Sequence, residues 1–456
     1  MRYLTPVLFA AAASVLGPAP AYADLGDQLF KLLPDDGAFG DLFGASVAIS
    51  GTTAILGAPG DDDNGTDSGS AYLFDTDIKA GGQLFKLLPN DGAANDRFGL
   101  SVAISGDVAI VGAYRDDHNG SDSGSAYLFD AATGKQIVKL LPDDGATDDW
   151  FGASVAISGA IAIVGARGDD DNGTDSGAAY LFDITTGRQL AKLLPDDGAA
   201  GDSFGRVAIS GAPGNEIAIV GAPRVDDDSG SAYVFDISDP ANPAQLAKLL
   251  PNDGAVNDWF GWSVAIRGAT AIVGAPNDDD NGIDSGSAYL FDITTGLQLA
   301  KLLPDDGASD DSFGSSVAMN GDSAIVGARG DDDNGLFAGS AYFFDPATGR
   351  QLAKLLASDG ASFDSFGVSV AISGATAIVG AYLHADNEFG SGAAYLFDAS
   401  SCPWDLDGNT VVGVSDFLSL LASWGPCKDC PADFDGNGAV GVSDFLALLA
   451  NWGPCP

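Results

Sequence analysis

Short runs in which every second residue is apolar recur along this chain, each bounded by Gly, Asp or Pro. In the first unit they are Ser46 to Ser50, Ala54 to Ala58, Gly69 to Phe74 and Gln83 to Leu88. Period-two alternation with turn residues at both ends predicts β-strands, and the two-residue connections predict antiparallel hairpins. The first two strands are crowded with small residues (Ser-Val-Ala-Ile-Ser, Thr-Ala-Ile-Leu-Gly-Ala), whereas the third carries Tyr, Leu and Phe. Such a gradient suits strands that converge on a narrow axis and fan apart outward. The same unit returns with a Phe-Gly pair at Phe43, Phe98, Phe151, Phe204, Phe260, Phe313 and Phe366, every 53 to 56 residues. Units that cannot bury a core alone must stack on their neighbours.

The ends of the array are offset. The Lys-Leu-Leu strand occurs seven times, at Lys31, Lys86, Lys139, Lys192, Lys248, Lys301 and Lys354, and its first copy precedes the first Phe-Gly. The last Tyr-Leu-Phe strand, at Tyr395, has no Lys-Leu-Leu after it. Pairing Gln28 to Leu33 with Gly392 to Phe397 closes a ring and removes both exposed sheet edges. The expected fold is all-β, a seven-bladed β-propeller over residues 24–399. The seven lysines, one on each outermost strand, read as protection against strand addition.

A Phe-Gly pair opening one strand and Gly-Ala-Pro closing the next (Gly57-Ala58-Pro59, Gly221-Ala222-Pro223, Gly274-Ala275-Pro276) resembles the FG-GAP repeat of the integrin α-subunit propeller. The fit is closer to a bacterial branch with Asp-Asp-Asp-Asn-Gly and Ala-Tyr-Leu-Phe, and it spans residues 28 to 398. The resemblance implies an adhesion or recognition module. One feature departs from it. Integrin-like repeats place a Ca²⁺ loop between strands one and two, where this chain has a bare turn at Ser50-Gly51-Thr52.

The acids have moved to the next loop. A four-strand meander sends its 2–3 loops and its 4–1 connections to one face, and these hold 43 of the 64 acidic residues. Five arginines share that rim: Arg97, Arg115, Arg167, Arg224 and Arg329. Asp61, Asp63 and Asp67 are hard oxygen donors around Asn64-Gly65, as a tight Ca²⁺ loop requires. Asp116 and Asp122, Asp169, Asp171 and Asp175, and Asp278, Asp280 and Asp284 form equivalent sets. Asx-rich turns that merely shape the backbone are the competing reading. Blades four, six and seven have lost the set, with a shortened loop at Asp226 to Ser229, Phe337 in the last acid's place, and a divergent loop from His384 to Gly390. The formal charge of −44 excludes a nucleic-acid partner, which needs a basic footprint.

Residues 1–23 read as a secretory signal. Arg2 supplies the charge, Val7 to Leu16 the apolar run, and Ala21-Tyr22-Ala23 the cleavage site. No later stretch is apolar for long enough to span a membrane. The four cysteines, Cys402, Cys427, Cys430 and Cys455, all lie near the C-terminus, where an exported chain uses an even count for disulfides. Three pairings are open, of which the local repeat favours Cys402–Cys427 and Cys430–Cys455.

That repeat covers residues 402–456, in two segments offset by 28. Asp405, Asp407, Asn409, the carbonyl of Val411 and Asp416 fill positions 1, 3, 5, 7 and 12 of an EF-hand-like loop. Asp433, Asp435, Asn437, the carbonyl of Ala439 and Asp444 repeat it. An amphipathic helix follows each loop, with Phe417, Leu418, Leu420, Leu421 and Trp424 on its apolar face in the first copy. Two loop–helix units ending in Asp, with flanking Gly-Pro-Cys, resemble a type I dockerin of the GC type. The resemblance implies two Ca²⁺ ions and a cohesin-like partner or cell-surface attachment. Its partner contacts would fall on Val414-Ser415 and Val442-Ser443, identical in both halves. Thr410 departs from the pattern, since the second copy has Gly438 there.

These features point to a secreted, non-catalytic recognition or scaffold propeller that binds a protein or glycan through its acidic face. The alternative is an extracellular polysaccharide-degrading enzyme using a rim carboxylate pair. Only two histidines, His118 and His384, are present, and no nucleophile–base arrangement is visible.

Overall fold

A computed structural model of the 456-residue chain describes residues 25–77, 82–212, 214–386, 388–400, 404, 406, 411–426, 432–434 and 438–454. The expected signal segment 1–23, all four cysteines, and Asp405, Asp407, Asn409, Asp435 and Asn437 lie outside the described residues.

The repeat region forms seven four-stranded antiparallel sheets. Six of them are sequential meanders, from Ser46–Ser50, Thr53–Ala58, Ser70–Asp75 and Gly82–Leu87 in the first to Phe313–Met319 through Gln351–Leu355 in the sixth. The seventh combines Val370–Ser373, Thr376–Ala381 and Ala393–Asp398 with the N-terminal strand Gln28–Leu32. That strand pairs antiparallel, with Lys31 opposite Tyr395 and Leu32 opposite Ala394. The expected closure is therefore met, within one residue at each strand end. The innermost strands of successive blades touch around the ring, and Ser46–Ser50 of blade one also meets Val370–Ser373 of blade seven.

The Phe-Gly and Gly-Ala signatures have a steric cause. Phe43 is fully buried and meets Tyr72 and Phe74 of its own blade edge-on, at 5.5 and 5.8 Å between ring centroids. The other six blades repeat this triangle. Edge-to-face pairs of this kind contribute about 0.5–1.5 kcal/mol each beyond the area they bury. The glycines set how closely blades approach. A Cβ on Gly57 would stand 1.8 Å from the carbonyl oxygen of Gly99 in the next blade. Gly99 itself is at φ +92°, a conformation that suits glycine, and its N–H donates to Gly112 O at 3.0 Å. The final contact of the cycle, Gly380 against Gly44, has the same geometry as the first. Backbone meets backbone because nothing larger than hydrogen fits.

The C-terminal repeat forms two nine-residue helices, Val414–Ala422 and Val442–Ala450. Two short strand pairs accompany them, Val411–Val412 with Gly453–Pro454 and Gly425–Pro426 with Ala439–Val440. The core is small: Val412, Leu420, Ala432, Val440 and Leu448, with Phe417 and Phe445 packed at 5.4 Å. One expectation about the helices needs correction. Leu420 is buried, but Leu418, Leu421 and Trp424 are exposed, as are their counterparts Leu446, Leu449 and Trp452. With Val414 and Val442 they leave an apolar stripe on each helix. Among the described residues no helix is long and apolar enough to cross a membrane.

Two changes test this construction. Gly112→Ala meets the Gly152 carbonyl at 2.0 Å, whereas Gly106, also at positive φ, has nothing within 4 Å of an added Cβ. Gly106→Ala should cost about 1–2 kcal/mol, the αL penalty alone, and Gly112→Ala clearly more in thermal melts. Deleting residues 24–33 should lower the melting temperature sharply and promote self-association through the opened edge. A melting curve unchanged by that deletion is incompatible with a closed ring.

Candidate functional site: the acidic face and its lysines

The 2–3 loops and 4–1 connections are bonded to each other on one face. Thr66, Asp67 and Ser68 of one loop accept the backbone N–H groups of Asn95, Arg97 and Phe98 from the next connection. Residue 67 and its equivalents Asp122, Asp175 and Asp284 take positive φ between 51° and 55° to present those carbonyls. Each outermost strand also reaches over the connection entering its blade, as where the Asp35 N–H donates to Gln83 Oε1 at 2.9 Å.

The predicted Ca²⁺ sets divide in this structure. Asp61 and Asp63 converge, but on a lysine: Lys86 Nζ lies 2.8 Å from Asp61, 2.7 Å from Asp63 and 2.7 Å from Asp36. The same ammonium stands 5.3 Å from the Tyr72 ring centroid, and the Tyr72 hydroxyl is 3.0 Å from Asp61. Lys192 holds Asp144, Asp169 and Asp171 in the same way. Lys301 holds Asp253, Asp278 and Asp280, and Lys139 holds Asp91 and Asp116. The third acid of each set stays outside. Asp67 pairs with Arg97 at 2.9 Å instead, and the backbone N–H groups of Asp67, Asp122, Asp175 and Asp284 bind Asp62, Asp117, Asp170 and Asp279. Those bonds close the loops on themselves, as the backbone-shaping reading expects.

Edge protection is therefore not the work of the lysines. Their side chains are largely covered, with Lys86 15% exposed, and each ties a loop to a connection. Burial opposes the charge on Lys86, but hydrogen bonds to Asp36, Asp61 and Asp63 outweigh it and hold its pKa above the usual lysine range. For Asp61, burial raises the pKa while the Lys86 and Asp63 N–H contacts lower it further, so the carboxyl stays ionised. Asp36, Asp61 and Asp63 bring three oxygens within 4.8 Å of one another, as do Asp306, Asp331 and Asp333. A cation's place exists in these loops, and Lys86 and Lys354 are at it.

Blades four and seven differ. In blade four, Val225 replaces the buried Asp, and Lys248 pairs with Asp197 alone. In blade seven, His384 takes the Asp position. Its Nδ1 lies 2.7 Å from Asp364 and its Nε2 2.8 Å from Lys31 Nζ, and Asp359 and Asp386 complete the cluster. Aligning loops from Gly380-Ala381 would have shown this equivalence in the sequence. In the tail, Asp416 is fully buried and accepts the N–H groups of Leu406 and Gly413 at 2.7 Å. Asp444 does the same for Phe434 and Gly441, and Asp433 accepts from Gly438. Val414, Ser415, Val442 and Ser443 are exposed.

A second class of aspartate titrates in the opposite direction. Asp41, Asp96, Asp149, Asp258 and Asp311 are buried at the foot of the connections, and burial pushes each up to about 6. A raised carboxyl pKa means that the folded state holds more protons than the unfolded one between about pH 4 and 6. These groups favour folding most at low pH, and that contribution is lost as pH rises through 6. Asp96→Asn retains an acceptor for the Ala93 N–H. Its stability relative to wild type should rise from pH 4 to 6.5, by at most about 3 kcal/mol, and then level off in melts. A difference independent of pH contradicts the assignment. Lys192→Met, which strands three carboxylates, should cost about 1–3 kcal/mol at pH 7.

Comparison with known proteins agrees with this geometry. No curated protein matches the chain. A family profile described as FG-GAP repeat matches residues 27–74, 82–129, 135–182, 188–235, 243–291, 297–344 and 350–397. The first match begins beside the strand that closes blade seven, and the last ends on the strand it pairs with. Repeats of this kind are typical of extracellular proteins and indicate a ligand-binding or scaffold role. With seven matches covering most of its length, the chain belongs to the FG-GAP repeat family.

Proposed function

We propose that this chain is a secreted recognition or scaffold protein without chemistry of its own. In this reading its acidic face binds a protein or glycan partner. The residues 402–456 act as a dockerin-like tail that attaches it to a cohesin-like protein or the cell surface. The observation that carries the proposal is the bonding of both acidic loop classes to one face, which concentrates exposed carboxylates such as Asp35 and Asp62 there. A field of one sign suits cationic partners and speeds their encounter.

Catalysis by a carboxylate pair is disfavoured by repetition. A pair with split pKa values marks an acid and a base when it is unique to one place. Here a raised Asp beside an ionised one recurs around the ring, as in Asp41 with Asp61 and Asp311 with Asp331. It belongs to the fold.

Calcium in the tail is supported by the donor set. Asp416 and Asp444, in the first turn of each helix, and Asp433, on the loop before the second, are buried carboxylates, the hard oxygen donors that Ca²⁺ takes. Asp405, Asp407, Asn409, the Val411 carbonyl, Asp435, Asn437 and the Ala439 carbonyl would complete the two sites. The exposed stripes bearing Val414 and Val442 support docking. In the propeller loops, a lysine ammonium already stands among the carboxylates and offsets part of their charge, so no ion is assigned there.

Titrating Ca²⁺ into the full mature chain should bind about two ions with high affinity and protect the tail from proteolysis. Asp433→Ala should hurt more than Asp405→Ala, because Gly438 stands at φ +84° and the first copy has Thr410 in that place. A tail indifferent to chelator removes the dockerin-like reading. Partner binding through the rim should weaken with salt, and Asp35→Asn with Asp143→Asn should reduce it only in part. Turnover of a polysaccharide that disappears with one rim carboxylate would install the enzyme instead.

A further inference from the structure

The acidic face has a positive centre. A cavity of about 430 Å³ lies on the propeller axis, lined by the residue that follows each of the seven Phe-Gly pairs, from Ala45 to Val368. Most of these residues are small or aliphatic. In blade four the position is Arg206, where the repeat is one residue short (Phe-Gly-Arg-Val for Phe-Gly-Ala-Ser-Val), and in blade five it is Trp262. Arg167 and Arg329, at the ends of their second strands, enter the same cavity.

No described carboxylate lies within ion-pairing distance of these guanidiniums, although Asp175 acts on Arg167 from farther off and Asp284 and Asp310 share a neighbouring pocket with Arg329. Among the described residues the one arginine ion pair is Arg97 with Asp67, outside the cavity. Arg167 Nε is buried with no hydrogen-bond partner. What holds the groups is aromatic. Arg206 lies 4.4 Å from the Trp262 ring centroid, Trp262 stacks on Trp259 at 5.2 Å, and Arg167 lies 4.8 Å from Trp150. Cation–π contact orients a guanidinium without neutralising it. Burial, with Arg167 and Arg224 nearby, pushes Arg206 down to about 10, and burial also lowers Arg167. Both stay charged at neutral pH. Half-buried cations beside one another, with no carboxylate in ion-pairing reach, destabilise a fold unless an anion joins them. In a chain of net charge −44, a carboxylate partner was the easiest one for the sequence to supply, and none is placed within ion-pairing reach.

We propose that this axial cavity is a binding site for a small oxyanion, a carboxylate or sulfate group, gripped by Arg206 and Arg167 with Arg329 at its flank. Planar guanidiniums match such groups two oxygens at a time. The surrounding acidic loops repel polyanions, so the ligand is a compact anion or one acidic residue rather than an extended acidic polymer. Trp262 contacts both Arg206 and Trp259 through its ring, which makes it a support for the arginine. This site is separate from the cationic partner proposed for the rim, and either can fail without the other.

The test is calorimetric titration of the full mature chain, at fixed NaCl and Ca²⁺, with sodium sulfate and with sodium glucuronate, using glucose as the neutral control. One saturable site per chain is expected for the anions and none for glucose. Arg206→Gln and Arg167→Gln should each weaken binding at least tenfold, and Arg206→Lys, which keeps the charge but loses the fork, should be intermediate. The tail's Ca²⁺ response should not change in any of them. Tighter binding of sulfate identifies an inorganic oxyanion as the source, and tighter binding of glucuronate a sugar acid. Neither anion binding above the glucose control, or equal binding by wild type and a folded Arg206→Lys or Arg206→Gln protein, overturns the proposal.

Discussion

Folding brings Lys86 Nζ within 3 Å of oxygens from Asp36, Asp61 and Asp63, and five other lysines likewise bridge a 2–3 loop and the connection entering its blade, Lys248 alone lacking the loop acid. The acidic face depends on this contact. Forty-three acids confined to one rim would drive their loops apart. An ammonium among them, itself covered by a Tyr ring, cancels charge at the most crowded point and ties two segments that are distant in sequence. The outer acids are then free to face solvent. The lysine ammonium thus takes the place among the loop carboxylates that a cation from the medium would occupy.

Inside that ring of paired charges the packing is nearly apolar, and its limit is set by glycine. Gly57 against Gly99, and its six equivalents, brings adjacent blades to backbone contact and fixes how the first strands surround the axis. The axial cavity is what remains when seven such strands meet. Arg167 and Arg329 enter it from the ends of two second strands, and one residue per blade, the one after each Phe-Gly, lines it. Six of those residues are uncharged and the seventh is Arg206.

The two faces of the charge pattern thus have different physical origins. On the rim, carboxylates exceed lysines; the surplus lies in solvent, where it costs little, apart from buried aspartates such as Asp96, whose pKa burial raises. On the axis, Arg167 and Arg206 are half-buried with no described carboxylate in ion-pairing reach, where an unpaired charge costs more than in open solvent. Repetition distinguishes their meaning as well. The Lys–Asp clusters recur in blade after blade and are therefore part of building the fold. Arg206 with Trp262 occurs once, which is how a ligand site differs from a structural device.

Periodicity in the sequence was sufficient for the blades, their number and the closing strand. Seven Phe-Gly pairs and an offset Lys-Leu-Leu leave one ring that pairs every edge. It also located the acids on one face, because strand parity alone decides where a loop emerges. It could not say that Asp61 and Asp63 turn to Lys86 while Asp67 turns away. That outcome depends on contacts between a loop, an outer strand and a connection 25 to 50 residues apart. Nor could it assemble Arg167, Arg206 and Trp262, which come from three blades and meet only because the ring closes. The missing residue after Gly205 was legible, and so was Trp262 at a position otherwise small or aliphatic. Their significance was not, since a departure from a repeat acquires a neighbourhood only when the repeats are wound around a common axis.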